Sequence, residues 1–131
     1  MKKPLTTKQV GDYGEHLAVR YLRRHGYWIR ERNWRSGKDE IDIIASTPRD
    51  IVFVEVKTRR YTQDELALAP PPGVAVHQHK QQHTRTCARS YLASHRTHKQ
   101  PRMDVIEVWL SKPENGKKPK VLKINHLKAA Y

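Results

Sequence analysis

A chain of 131 residues is long enough for one domain with a real core and too short for two of ordinary size. Its 26 Lys and Arg stand against 13 Asp and Glu, a formal charge of +13, with apolar residues at 37% and charged ones at 30%. This excess favours anionic partners, and nucleic acid before membrane: no apolar run approaches the ~20 residues of a spanning helix, and the basic residues are spread along the whole chain.

The opening Met1-Lys2-Lys3-Pro4-Leu5 has no apolar stretch behind it, so no signal peptide is expected. Cys87 stands alone, which forbids an intrachain disulfide and makes a reducing cytoplasm the expected compartment. No internal repeat is visible. Thr6 or Thr7 can cap a helix that runs to about His25. Its apolar residues Val10, Leu17, Ala18, Tyr21 and Leu22 recur at helical spacing, and Gly26 supplies the stop. Three strand-like segments follow: Tyr27 to Trp34, Asp39 to Ala45 after the turn at Ser36-Gly37, and the Val-rich Ile51 to Thr58 after Thr47-Pro48-Arg49-Asp50.

From Arg59 to Gly73 the pattern dissolves into basic residues and Pro70-Pro71-Pro72, which predicts a long mobile loop. A second helix is expected from Val74 to about His95, burying Val76, Cys87, Ala88, Tyr91 and Leu92. Strands over Met103 to Leu110 and Lys120 to Asn125 flank a turn at Glu114-Asn115-Gly116. The order αβββαββ predicts a single α/β domain, a mixed β-sheet with flanking helices.

The second and third strands carry the chemistry. Joined by a four-residue loop, they pair residues whose numbers sum to 97, so Asp42 falls opposite Glu55. Carboxylates directly opposed in an antiparallel pair lie ~5 Å apart at Cβ, repel each other, and want a cation between them. Alternation puts Phe53, Glu55 and Lys57 on one face and Val52, Val54 and Val56 on the other, so Lys57 projects beside both acids. Asp42, Glu55 and the backbone carbonyl of Val56 then make a hard-oxygen set for Mg²⁺ or Mn²⁺. Lys57 can position a water or neutralise developing charge at a phosphoryl centre. Glu15, at the edge of the first helix's buried face, is the candidate third carboxylate.

Bland readings stand beside these. A same-face Glu-x-Lys is common as a solvated ion pair, and an acid early in a helix also suits the helix dipole. His79, His83 and Cys87 at four-residue spacing, with His77 nearby, suggest zinc. Three ligands spread over two helical turns cannot reach one ion unaided, however, and Cys87 is expected inside as a small hydrophobe. Trp28, Trp34 and Trp109 fall in strand segments and are expected to pack rather than stack on bases.

Gly14-Glu15 with Ala18 and Tyr21-Leu22, Gly26-Tyr27, Arg32-Asn33, Glu40-Ile41-Asp42-Ile43-Ile44-Ala45 and Val52-Phe53-Val54-Glu55-Val56-Lys57-Thr58-Arg59 resemble the YraN-like family of small bacterial proteins. So do Val76, Lys80, Tyr91-Leu92, Arg102 and Asp104-Val105-Ile106. That family is related to the archaeal Holliday-junction resolvases within the PD-(D/E)xK nucleases. The resemblance implies a restriction-endonuclease-like fold, metal binding by Asp42 and Glu55, a catalytic lysine at Lys57 and a supporting acid at Glu15. It implies DNA, structured or branched, as partner; of the basic residues whose positions could line a phosphate-binding face rather than a merely solvated one, Arg32, Arg35, Arg59, Arg60 and Lys80, the resemblance marks Arg59 and Lys80. It also allows a homodimer, because two strands are cut by symmetry-related sites. The alternative is a non-catalytic basic module that binds nucleic acid on a nuclease scaffold.

Overall fold

A computed structural model describes residues 5–71, 78–112 and 118–131. Helix α1 (Thr7–Arg24) opens on a capping box: the Thr6 hydroxyl accepts the Gln9 N–H at 3.1 Å, and Gln9 Oε1 accepts the Thr6 N–H at 2.8 Å. It closes on a Schellman turn. Tyr27 N–H reaches Leu22 O and Gly26 N–H reaches Arg23 O, with Gly26 at φ +84, a conformation that disfavours a Cβ.

Strands β1 (Trp28–Ser36), β2 (Asp39–Ser46) and β3 (Asp50–Tyr61) form an antiparallel meander. Strand β4 (Gln100–Ser111) lies parallel to β3, and β5 (Val121–Leu127) pairs antiparallel with β4. The result is a five-stranded mixed sheet in chain order, with α1 on one face and α3 (Gln78–Ser94) on the other. The α1 face buries Val10, Ala18, Val19 and Leu22 against Ile43, Val52, Val54, Ile106 and Val108. The α3 face buries Cys87, Ala88 and Tyr91 against Ile41, Ile44, Ile51 and Phe53. Ile51 to Val54 are all buried, which is why that stretch reads as a continuous apolar run. Among the described residues no helix is long and apolar enough to cross a membrane.

The expected loop from residue 59 to 73 needs correction. Strand β3 continues to Tyr61, in unbroken parallel register with β4 as far as Tyr61↔Ser111. A short helix, α2 (Gln63–Ala67), follows on its own capping box between Thr62 and Glu65, and Lys112 Nζ holds Glu65 at 2.7 Å. Basic residues concealed this, because Arg59 and Arg60 gain their ladder partners only from β4, some fifty residues later. The element order is therefore αβββααββ. The start of the second helix at residues 74–77, the end of the loop at 72–73 and the Glu114 turn lie outside the described residues.

Two contacts fix the ends of the α1 face. Arg102 grips the buried Asp104 side-on (2.9 and 2.8 Å) and also reaches Asp50 (3.0 Å) and Tyr27 Oη (2.7 Å). His126 and the Ala129 N–H complete the shell of Asp104, at 2.6 and 3.0 Å. At the other end Gly14 lies against β3, where a Cβ added to it would overlap the side chain of Thr58. Gly14→Ala is expected to cost about 1–3 kcal/mol by overpacking, and Thr58→Ala in the same chain to recover part of it. Urea unfolding of the two single variants and the double variant measures this.

Candidate active site

The predicted register holds: Ile43↔Val54, Ile44↔Phe53, Ala45↔Val52 and Ser46↔Ile51 all sum to 97. The next pair would be Asp42 and Glu55, and there the ladder stops. Instead of facing Glu55 as a laddered neighbour, Asp42 turns its Oδ2 to the backbone N–H of Val56 at 2.8 Å. The side-chain alternation of β2 breaks at the same residue, since Ile41 packs on the α3 face and Ile43 on the α1 face. Strand β1 shifts in step. Asn33 takes φ +53, a left-handed conformation that Asn tolerates better than most residues, while Arg32 stays paired with Ile43 and Trp34 with Ile41.

Asp42 and Glu55 line one cleft of about 530 Å³ together with Lys38, Asp39, Glu40, Ile41, Val54, His83 and Thr84. Glu55 is only 5% exposed, and Lys57 Nζ lies 3.2 Å from its Oε1. In the parallel register Lys57 faces Glu107 of β4, a second buried carboxylate, whose Oε1 accepts the indole N–H of Trp109 at 3.3 Å. Lys57 thus stands between carboxylates of two adjacent strands.

Glu15 comes from the α1 side, one residue after the close approach of Gly14 to β3. The Asn33 amide, with its nitrogen toward both acids, bridges Glu40 Oε1 (2.7 Å) and Glu15 Oε2 (3.3 Å). Burial, and then the negative charges of Asp42 and Glu40, raise the pKa of Glu15 to about 7, with Arg32 opposing. Glu15 and Lys57 do not line the cleft that Asp42 and Glu55 share, so the four candidates approach one region from two sides of the β2–β3 gap.

A cation would find oxygen donors of the hard type here, chiefly the carboxylates of Asp42 and Glu55. Among the described residues no group of three or more His, Cys, Asp or Glu side chains is placed to hold a metal ion, so Asp42 and Glu55 are the pair of carboxylates available. Among the described residues the zinc alternative has no geometry behind it. Cys87 is 1% exposed, with burial pushing its thiol pKa up, and His83 donates to Asp39 at 2.9 Å. His77 and the side chain of His79 lie outside the described residues.

The basic residues are less unified than the sites they were expected to serve. Arg35 is exposed and ion-paired with Glu40 at 3.3 Å, and Arg32 sits close enough to Glu15 to lower its pKa. Arg59 and Arg60 are half-buried on β3, and strand alternation turns only Arg59 to the Lys57 face. The side chain of Lys80 lies outside the described residues. Trp34 packs on Tyr91 and Trp109 is buried, as expected of packing residues; Trp28 is the exception at 57% exposed.

Residues 14–108 match the model of a family described as "Uncharacterised protein family UPF0102". The chain belongs to the UPF0102 family. A UPF0102 protein of Caldanaerobacter subterraneus is 42% identical over 130 residues, covering 98% of this chain and 99% of the relative. One from Caldicellulosiruptor bescii is 40% identical over 129 residues (97% and 100%), and one from Bacteroides thetaiotaomicron is 39% identical over 123 (94% and 92%). The family match spans Glu15, Asp42, Glu55, Lys57 and Glu107. This is the YraN family that the sequence resembles.

Sequence reasoning missed Glu107, Asn33 and the His83–Asp39 wall of the cleft. Glu107 left a signal, an acid inside the apolar run Val105-Ile106-Glu107-Val108, and a charge there needs a partner. Asn33 and His83 left none that a local pattern exposes. The raised pKa of Glu15 has a consequence for stability. A carboxyl that binds its proton more tightly in the folded state stabilises at low pH, and this contribution is lost as pH rises through the folded value. Glu15→Gln is therefore expected to match wild type in pH response below about pH 4.5, gain on it up to about pH 7, and level off above. Discounted for partial exposure, the gain is on the order of 1 kcal/mol, read by denaturant titration across that range without divalent metal.

Proposed function

We propose that this protein is a metal-dependent endonuclease that hydrolyses phosphodiester bonds in DNA. The observation that carries the reading is the meeting of Asp42 and Glu55 in one cleft, where the β2–β3 ladder ends, with Lys57 paired to Glu55 at 3.2 Å. Acid, acid and lysine from two adjacent strands are the elements of a PD-(D/E)xK site. A mixed sheet flanked by helices is compatible with the restriction-endonuclease-like fold that the resemblance implies.

In this reading Asp42 and Glu55 hold Mg²⁺ or Mn²⁺, with the carbonyl of Val56 as a further donor. The ion supplies Lewis-acid polarisation of the phosphoryl group and acidifies water. The Val56 N–H fixes one carboxylate oxygen of Asp42 and thereby orients the other. Glu55 holds the Lys57 ammonium beside the reacting centre, where it would stabilise charge that develops on the phosphoryl oxygens, and Glu107 is the register partner of Lys57 on β4. Glu15, whose pKa is raised to about 7, would accept the proton that the attacking water loses as its oxygen bonds to phosphorus.

The charge of +13 supports a polyanionic substrate. Specificity rests on shape and backbone contacts, since the sequence holds no base-reading motif; this favours structured or branched DNA, as in the resolvases. Arg32, Arg35, Arg59, Arg60 and Lys80 are the proposed backbone contacts. A cytoplasmic homodimer is the assembly in which two such sites would cut two strands.

Asp42→Asn and Glu55→Gln are expected to lower Mn²⁺-dependent cutting of linear, flapped and four-way DNA by roughly a hundredfold or more while duplex binding persists. Calorimetric Mn²⁺ uptake should fall in both. Normal cleavage by either variant would sink the nuclease assignment. Tight, salt-sensitive binding by wild type with no metal uptake and no cutting would favour the basic binding module.

A further inference from the structure

A basic site, apart from the acidic cleft, lies at the far end of α3. Two adjoining recesses of about 330 and 590 Å³ share Arg96, Thr97 and Lys99. The first is also walled by Arg30 and His95, the second by His98. No carboxylate lines either recess among the described residues.

The groups are held in place rather than merely adjacent. Arg30 Nε donates to Ser46 Oγ at 2.8 Å. His95 stacks on Tyr91 with ring centroids 4.1 Å apart and planes 7° from parallel. Its Nδ1 is engaged by the Ser94 hydroxyl at 2.9 Å and the Tyr91 carbonyl at 3.1 Å, leaving Nε2 as the second polar atom of the ring. The Lys99 ammonium contacts the carbonyls of Thr47 and Pro48 and lies over the Trp28 ring at 5.9 Å. That contact gives the exposed Trp28 a place in the same surface.

We infer that this recess binds a phosphate group, and that the group belongs to the backbone of the nucleic acid held at the cleft. The inference rests on the DNA-binding half of the proposed function and not on catalysis. Helix α3 connects the two places. His83 walls the cleft and His95 walls the recess, twelve residues or roughly 18 Å apart at ~1.5 Å per residue. Arg85 and Arg89 are exposed on the helix between them. B-DNA carries one charge per ~1.7 Å of axis, so a duplex lying along α3 presents phosphates at both ends of that span. Cations at the C-terminal end of α3 also suit its dipole, and the test has to separate that structural role from binding.

The test is metal-free binding of a fluorescent duplex of about 20 base pairs across a salt series. Arg96→Glu is compared with wild type, Arg96→Lys and Asp42→Asn, with melting temperatures measured alongside. Arg96→Glu should bind roughly tenfold more weakly near ~100 mM salt, with the log–log salt slope reduced by about one. Arg96→Lys should restore most of both. Asp42→Asn removes a negative charge from the metal-free cleft and should bind at least as tightly as wild type, whatever its cleavage shows, so loss of the nuclease reading leaves this result standing. A second arm titrates inorganic phosphate and follows the imidazole NMR signals of His95 and His98. Phosphate-induced shifts abolished in Arg96→Glu, with duplex binding unchanged, would overturn the backbone assignment and give the recess to a free phosphorylated molecule. Unchanged duplex affinity and slope with no phosphate response would overturn the site altogether.

Discussion

The candidate site depends on a single hydrogen bond, from the Val56 N–H to the Asp42 carboxylate at 2.8 Å. A β-ladder is built from backbone groups, and each buried N–H must find an acceptor. Beyond Ile43↔Val54 the acceptor for β3 is a side chain of β2 instead of its backbone. A carboxylate is a stronger acceptor than a carbonyl, so the exchange satisfies the donor while freeing the strands to separate. That separation opens the cleft and lets Asp42 and Glu55 share it, whereas in a closed pair they would stand in direct repulsion.

The departure is coordinated across three strands. Asn33 absorbs it in β1 with a left-handed backbone, and its amide returns to Glu40 and Glu15. Alpha-helix α1 meets β3 closely only because residue 14 has no side chain. The same contact brings Glu15 within electrostatic reach of Asp42.

Two carboxylates on the α1 face show what neighbours do to one functional group. Burial alone would push Asp104 up, yet hydrogen bonds from His126, Arg102 and the Ala129 N–H outweigh it and hold its pKa below the usual value. Glu15 is buried beside further acids, with only Arg32 opposing, and rises to about 7. One end of the sheet is electrostatically closed and serves stability. The other carries excess negative charge within a strongly basic protein, and that contrast separates scaffold from candidate site.

The amino-acid sequence by itself determined the caps of α1, the positions of five strands, the 97-sum register and the face shared by Phe53, Glu55 and Lys57. These follow from periodicity, turn residues and side-chain alternation, all of which act over a few neighbours. Tertiary structure alone decided the extension of β3 to Tyr61, the break at Asp42, the approach of Glu15 and the place of Glu107 beside Lys57. Each depends on a partner distant in the chain: Tyr61 on Ser111, Glu15 on Asp42, Lys57 on Glu107. Local pattern fixes which way a side chain points from its own strand, but burial, charge and proton affinity are set by whatever the fold brings opposite it.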